Sequence, residues 1–289
     1  MFELLSQSEA LLRWPDLIVL IASFALMIYI GGYCARKNSS SESYFLAGRN
    51  MPGWVVGFSV MATIISSMSF LANPGFAYKE NWRYMVPCLG YLVATFFAII
   101  LFMPYFRKGH VSSAYEYLEK RFGPWARYYA AFAFLLIQVI RIGVILYAAS
   151  LAIQAMTGWP MEVVIMVFGV IVAIYTIAGG LEAVIWTDLI QGIALIVGAF
   201  ICLPILVNQL PGGFGQIFDV ANANDKFSLG DMNWDFRIKG FWVMLITGPF
   251  IWLQLMCTDQ SIVQRYCAPK NKAEAKKSLI MGVVMSLPV

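Results

Sequence analysis

Apolar residues run in long blocks along this chain, separated by short polar and basic connectors. Neither the alternation of a half-buried strand nor the narrow stripe of a surface helix describes them. The blocks fall at 17–34, 53–78, 84–106, 126–156, 161–178, 183–207 and 240–263, and another begins at 278. Each is long enough, at about 20 residues per crossing, to predict a transmembrane helix. The pattern predicts an all-α integral membrane protein. Between the blocks, 38–43 reads as a solvated polar connector. In the long 208–239 connection Phe214, Ile217, Phe218 and Ala221 keep helical spacing and predict a short amphipathic helix.

The block from Pro52 to Tyr78 departs from a simple anchor. Thr63, Ser66, Ser67 and Ser69 interrupt its middle, and Asn73-Pro74-Gly75 is expected to end or bend its far side. At about 1.5 Å per residue, Ser66 lies roughly 20 Å from Gly53, near the centre of a hydrocarbon layer about 30 Å thick. Loosened backbone at that depth is tolerated only against protein or water. Two readings follow: a broken helix carrying ligands, or a small-residue helix that packs closely on its neighbours. Thr247-Gly248-Pro249 predicts a matching break or kink in the block at 240–263. Interrupted spans in corresponding halves point to an inverted-repeat transporter.

Charge distribution adds an orientation. Arg36, Lys37 and Arg49 follow the first block, Arg107, Lys108, Lys120, Arg121 and Arg127 the third, and Arg265, Lys270, Lys272, Lys276 and Lys277 the seventh. These basic connectors alternate with acidic or neutral ones, which predicts a multi-pass cell-membrane protein with its N-terminus outside. Composition agrees with the bilayer as partner: 60% of residues are hydrophobic, 12% are charged, and mean hydropathy is +0.72. A soluble domain carries about 25% charged residues. No basic-aromatic patch points to nucleic acid. Five scattered cysteines and a single histidine, His110, offer neither a disulfide framework nor a His-based catalytic centre.

Two charges stand deep in apolar blocks. Arg141 lies roughly 24 Å along its helix from Trp125, on one face with Gln138, Ile145, Ala148 and Ala152. A guanidinium there suits a solute carboxylate, through two parallel hydrogen bonds, or a buried pair with Asp188 or with freed carbonyls. Asp188 stands about 10 Å from the start of its helix, with Gln191 and Gly192 alongside. It suits a hard cation, or the neutralisation of an arginine.

Three stretches resemble the sodium:solute symporter family. They are Ala62-Thr63-Ile64-Ile65-Ser66 through Phe70-Leu71-Ala72-Asn73-Pro74-Gly75, then Tyr175-Thr176-Ile177-Ala178-Gly179-Gly180-Leu181-Glu182-Ala183 with Thr187-Asp188 and Gln191, and Asp259-Gln260-Ser261-Ile262-Val263-Gln264-Arg265. The resemblance implies a five-plus-five inverted-repeat sodium symporter fold, preceded by one extra N-terminal helix within 1–37. The first repeat would span 50–207, and 240–289 would begin a second repeat that stops incomplete inside a helix. The missing C-terminal helices of the same protein would then be needed to close the site.

It further implies sodium bound by the Ala62 and Ile65 carbonyls, with Asp188 at the same or a second sodium site. Arg141 matches the carboxylate-holding arginine of sialic-acid symporters, with Ser66 and Ser69 at nearby hydroxyl positions and Gln138 on the Arg141 face. Trp252 and Leu255 fall where sugar-transporting members carry an asparagine and a gating tyrosine, which puts Trp252 beside the solute. No carboxylate occurs in 84–106, where those members have a glutamate, and Cys88 replaces the glutamine of the sialic-acid branch. The function implied is sodium-coupled symport of a small organic solute, such as a sialic acid, monocarboxylate or amino acid. The same module serving as a membrane solute sensor, or a sodium/sugar symporter, is the alternative. An enzyme is disfavoured because no nucleophile–base pair appears.

Overall fold

The computed structural model describes residues 14–65, 67–108 and 113–287, with the side chains of 67, 68, 70 and 71 left aside. Thirteen α-helices are named here. The first four are α1 (Trp14–Ala35), α2 (Ser41–Leu46), α3 (Gly53–Ile64) and α4 (Ser67–Lys79). A nearly continuous rod follows: a 3-10 segment Trp82–Leu89, α5 (Gly90–Phe97), a π turn Ala98–Phe102 and α6 (Met103–Lys108). Next come α7 (Ala114–Phe122), α8 (Pro124–Thr157), α9 (Met161–Asn208) and α10 (Gly213–Ala223). The chain continues through α11 (Phe241–Leu253), a π turn Gln254–Thr258, α12 (Gln260–Cys267) and α13 (Lys272–Ser286). Five helical stretches, Trp14–Ala35, Trp82–Lys108, Pro124–Thr157, Met161–Asn208 and Phe241–Thr258, are long and apolar enough to cross a membrane. Their outer faces are apolar, as along α8, where Leu136, Ile137, Val139 and Ile140 are exposed. The amphipathic helix expected in the long connection is α10.

At 48 residues α9 would extend about 72 Å if straight, more than twice the hydrocarbon thickness. It turns at a single residue, Gly180, whose φ of 64° and ψ of −159° only glycine adopts readily. The two blocks predicted at 161–178 and 183–207 are therefore two arms of α9. The turn strands the carbonyls that end the first arm, and the preceding connector caps them. Asn38 Nδ2 donates to the Gly179 carbonyl at 3.0 Å, and Tyr44 Oη donates to that of Ile177 at 2.8 Å. The stretch 38–43 is thus not merely a solvated connector. Ser40 and Ser43 form a capping box that starts α2 and holds Tyr44 in place.

The core lies where α3 packs against α13 and the second arm of α9. A Cβ on Gly53 would come within 2.5 Å of the Glu274 carbonyl, and one on Gly282 within 2.5 Å of Val60 Cγ1. Small residues let these helices touch at backbone distance. In the 52–78 block α3 is a small-residue packing helix, and the helix breaks at its end.

Three expectations about helix ends need correction. Asn73-Pro74-Gly75 does not end a helix, because α4 continues through it to Lys79. The last helix starts at Lys272, capped by Asn271, rather than at 278. Its first turns carry Lys272, Lys276 and Lys277, which made them read as loop. The block at 240–263 does not break at Thr247-Gly248-Pro249, since α11 runs through Pro249 to Leu253. Gly248 serves packing instead: a Cβ there would meet the Pro87 carbonyl at 2.6 Å, and a Cβ on Gly90 would meet Gly248 C at 2.4 Å.

That crossing yields a prediction. Gly90→Ala should cost about 1–3 kcal/mol by forcing α5 from α11, read as a lowered midpoint of thermal unfolding in detergent. Gly32→Ala, whose Cβ meets nothing within 4 Å, should leave the midpoint unchanged. Equal midpoints for the two variants would refute the backbone-contact account.

Candidate functional site

The first break follows Ile64. Ile65 turns extended, with φ −87° and ψ 121°, and its amide makes the last bond of α3, 2.9 Å to the Met61 carbonyl. The final carbonyls of a helix lack intrahelical donors, and those of Ala62 and Ile65 stand at this end. Both residues are half-buried. Ser66 lies outside the described residues. Ser69 is half-buried on α4, which packs against α8, the helix of Arg141. The Thr63 hydroxyl turns back to the Ser59 carbonyl at 2.7 Å.

Asp188 stands on the second arm of α9 inside a three-helix junction. Its Oδ2 accepts from Ser59 Oγ of α3 at 2.5 Å and from Arg265 Nη2 of α12 at 2.9 Å. Arg265 also donates through Nε to Ser59 Oγ at 2.8 Å and through Nη1 to the Ser261 carbonyl at 2.7 Å. The Arg265 and Asp188 side chains are only 10% and 16% exposed, so this pair is largely sheltered. Arg265 is therefore not the cytoplasmic loop charge that its place after an apolar run suggested. Ser59 precedes Ala62 by one turn and Ile65 by about 9 Å of helix. Asp188 and the freed carbonyls thus occupy successive levels of one helix.

The second break is at Asp259, after the π turn, where φ −69° and ψ 124° interrupt the helix. Asp259 caps α12: its Oδ1 accepts from the Ser261 amide at 2.9 Å and also from the Ser261 hydroxyl. Its Oδ2 faces Arg141 Nη1 at 3.9 Å. The carboxylate within ion-pair reach of Arg141 is therefore Asp259, and the expected pairing with Asp188 is corrected. Asp188 is already taken by an arginine that the sequence reading had placed elsewhere. Gln138 lies one turn before Arg141 and is likewise half-buried. Arg107 closes the far end of α12 by donating to the carbonyls of Tyr266 at 3.0 Å and Pro269 at 2.9 Å.

Trp252 sits apart from these groups. Its indole Nε1 donates to the Pro87 carbonyl at 2.9 Å, and its ring stacks on Tyr91 at 3.8 Å. The sequence reading missed Ser59, Asp259 and Arg265 as site residues. Ser59 is a lone hydroxyl in an apolar run. The signal for the other two was present in Asp259-Gln260-Ser261 through Arg265, a cap residue followed six residues later by an arginine.

Among the described residues no three His, Cys, Asp or Glu side chains converge as a metal centre would require. What converges are backbone carbonyls, hydroxyls and two arginine–aspartate pairs at two interrupted membrane helices. Interrupted spans and deep paired charges of this kind are features of multi-pass membrane proteins. The chain belongs to the sodium:solute symporter family, whose sequence profile matches residues 44–289.

It is 36% identical over 278 residues to the sodium/sialic acid symporter NanT of Aliivibrio fischeri, covering 94% of this chain and 54% of that protein. It is 30% identical to the sodium-coupled monocarboxylate transporter 2 of Mus musculus, covering 93% and 44%. A solved substrate-bound, outward-open structure of a Na+-coupled sialic acid symporter superposes with a TM-score of 0.90 at 32% identity. That match covers 95% of this chain and 57% of the other. The chain thus spans about half the length of the relatives it matches.

The junction carries a stability prediction. Arg265→Met should leave Asp188 buried without its partner and cost about 3–5 kcal/mol. Adding Asp188→Asn should recover most of that loss in thermal unfolding. If the double variant were no more stable than Arg265→Met, the pair would not be the source of the cost.

Proposed function

We propose that the protein carrying this chain is a sodium-coupled symporter of a small organic anion with a carboxylate group. The observation that carries the reading is the pair of interrupted helices, at Ile65 and Asp259, with the half-buried Arg141 beside the second. Sodium takes the oxygen-rich break at the Ala62 and Ile65 carbonyls, and Asp188 serves a second cation or links cation binding to α12. The solute is held by Ser69, Gln138 and Arg141, the guanidinium donating two parallel hydrogen bonds to its carboxylate. Trp252 is not a hydrogen-bonding ligand of the solute in this reading, since its N–H is already satisfied by Pro87 and its ring stacks on Tyr91. The substrates for which those relatives are named, sialic acid and monocarboxylates, share the carboxylate and support the assignment.

In this reading the N-terminus lies outside and the basic connectors face the cytoplasm. The complete carrier holds a second five-helix repeat that begins at 240, and its later helices finish the sodium site. Sodium binding stabilises the outward-open arrangement, and the sodium gradient drives the solute inward.

Uptake of labelled sialic acid or a short monocarboxylate by the expressed protein tests the proposal. Replacing external sodium with potassium should reduce uptake at least ten-fold; equal rates would sink the proposal. Arg141→Gln should abolish carboxylate uptake while leaving expression and thermal stability near normal, and parallel loss of folding would mark Arg141 as structural instead. Asp188→Asn should shift sodium activation to higher concentration, and an unchanged activation curve would remove Asp188 from cation coupling.

A further inference from the structure

The two oxygens of Asp259 have separate tasks. Oδ1 is committed to the Ser261 amide and hydroxyl at the start of α12. Oδ2 is directed at Arg141 but stays 3.9 Å away, beyond the 2.7–3.2 Å of a hydrogen bond. The cap fixes the carboxylate, so Oδ2 is restrained from closing that gap. Among the described residues Arg141 has no other carboxylate within ion-pair reach, and its side chain is 36% exposed while that of Asp259 is 8% exposed. A guanidinium presents five N–H donors in a fork that fits a carboxylate bidentately. This one is steadied by a counter-charge yet left free to bond something better placed.

We propose that Asp259 is a built-in stand-in for the solute carboxylate, holding Arg141 by charge when the solute site is empty and yielding it to the incoming anion. The inference rests on the reading that Arg141 receives a solute carboxylate. Asp259 is then a positioning residue: it keeps the guanidinium aimed at the site and its charge opposes the anion, lowering affinity enough for release. Since the same side chain caps α12 at the break, the arrival of the solute is felt directly at the hinge between the π turn and α12. No bond forms or breaks in this exchange, which is a substitution of one ionic partner for another.

The test separates charge from cap. Asparagine keeps a capping oxygen for Ser261 and removes the charge facing Arg141. With sialic acid and its methyl ester as probes in uptake by the expressed protein, Asp259→Asn should lower the half-saturating concentration of the acid about five-fold, the scale of one partly exposed ion pair. The half-saturating concentration or inhibition constant of the ester should not move. Unchanged or weaker affinity for the acid, or an equal shift for acid and ester, would overturn the proposal. Should Asp259→Asn fold poorly, Asp259→Ser supplies another uncharged cap for the same measurement. An Arg141→Gln variant that still takes up the acid normally would instead defeat the underlying reading, so the two failures are distinguishable.

Discussion

Inside a hydrocarbon layer a backbone polar group without a partner costs several kcal/mol. This chain interrupts its helices at Ile65, Gly180 and Asp259, and much of its polar chemistry answers those interruptions. At Gly180 the neighbouring connector supplies donors, Asn38 and Tyr44, and the turn is sealed. At Asp259 the residue caps the new helix with its own carboxylate, while Arg265 and Arg107 take up carbonyls along and beyond α12. The Gly180 turn is thus closed on its carbonyl side, and the Asp259 break is capped on its amide side.

The Ser59–Asp188–Arg265 junction turns the same constraint into architecture. An arginine and an aspartate buried together must be matched in charge and in hydrogen bonds, or one of them becomes an isolated charge. Here Ser59 donates to the carboxylate and accepts from the guanidinium, so one hydroxyl bridges both ions. The three groups come from α3, the second arm of α9 and α12. Because α12 has only eight residues, its position depends on these bonds and on Arg107 more than on its own helical stability.

Span positions were legible in the sequence because apolar run length is a strong, local signal. Gly179-Gly180 also announced its turn, since few other residues accept the required dihedrals. Helix ends were less legible for a physical reason. Proline and glycine advertise a break, yet Pro74 and Pro249 both lie inside continuous helices. One carbonyl losing its donor is tolerable, and at Gly248 the missing side chain serves the crossing with Pro87 and Gly90. The actual second break, at Asp259, carries neither residue and is encoded by a π turn and a cap. Of the site, Arg141 and Asp188 were legible as deep charges, but their partners were not, because pairing joins residues 77 and 118 positions apart.

The partners change what the deep charges mean. Had Arg141 and Asp188 paired with each other, the interior would hold one neutral bridge and little reason for a ligand to enter. Each instead meets a partner near one end of the short helix α12: Arg141 faces Asp259 at its start, and Asp188 holds Arg265 near its finish. The two pairs differ in kind, since the Asp188 pair is hydrogen-bonded and sheltered while the Arg141 pair is long and partly open. A sheltered pair fixes a helix, and an open pair leaves a charge able to exchange partners. The same short helix thus carries a close, hydrogen-bonded pair where it meets α3 and a longer ion pair to Arg141 of α8. That division follows from where the two carboxylates find their arginines.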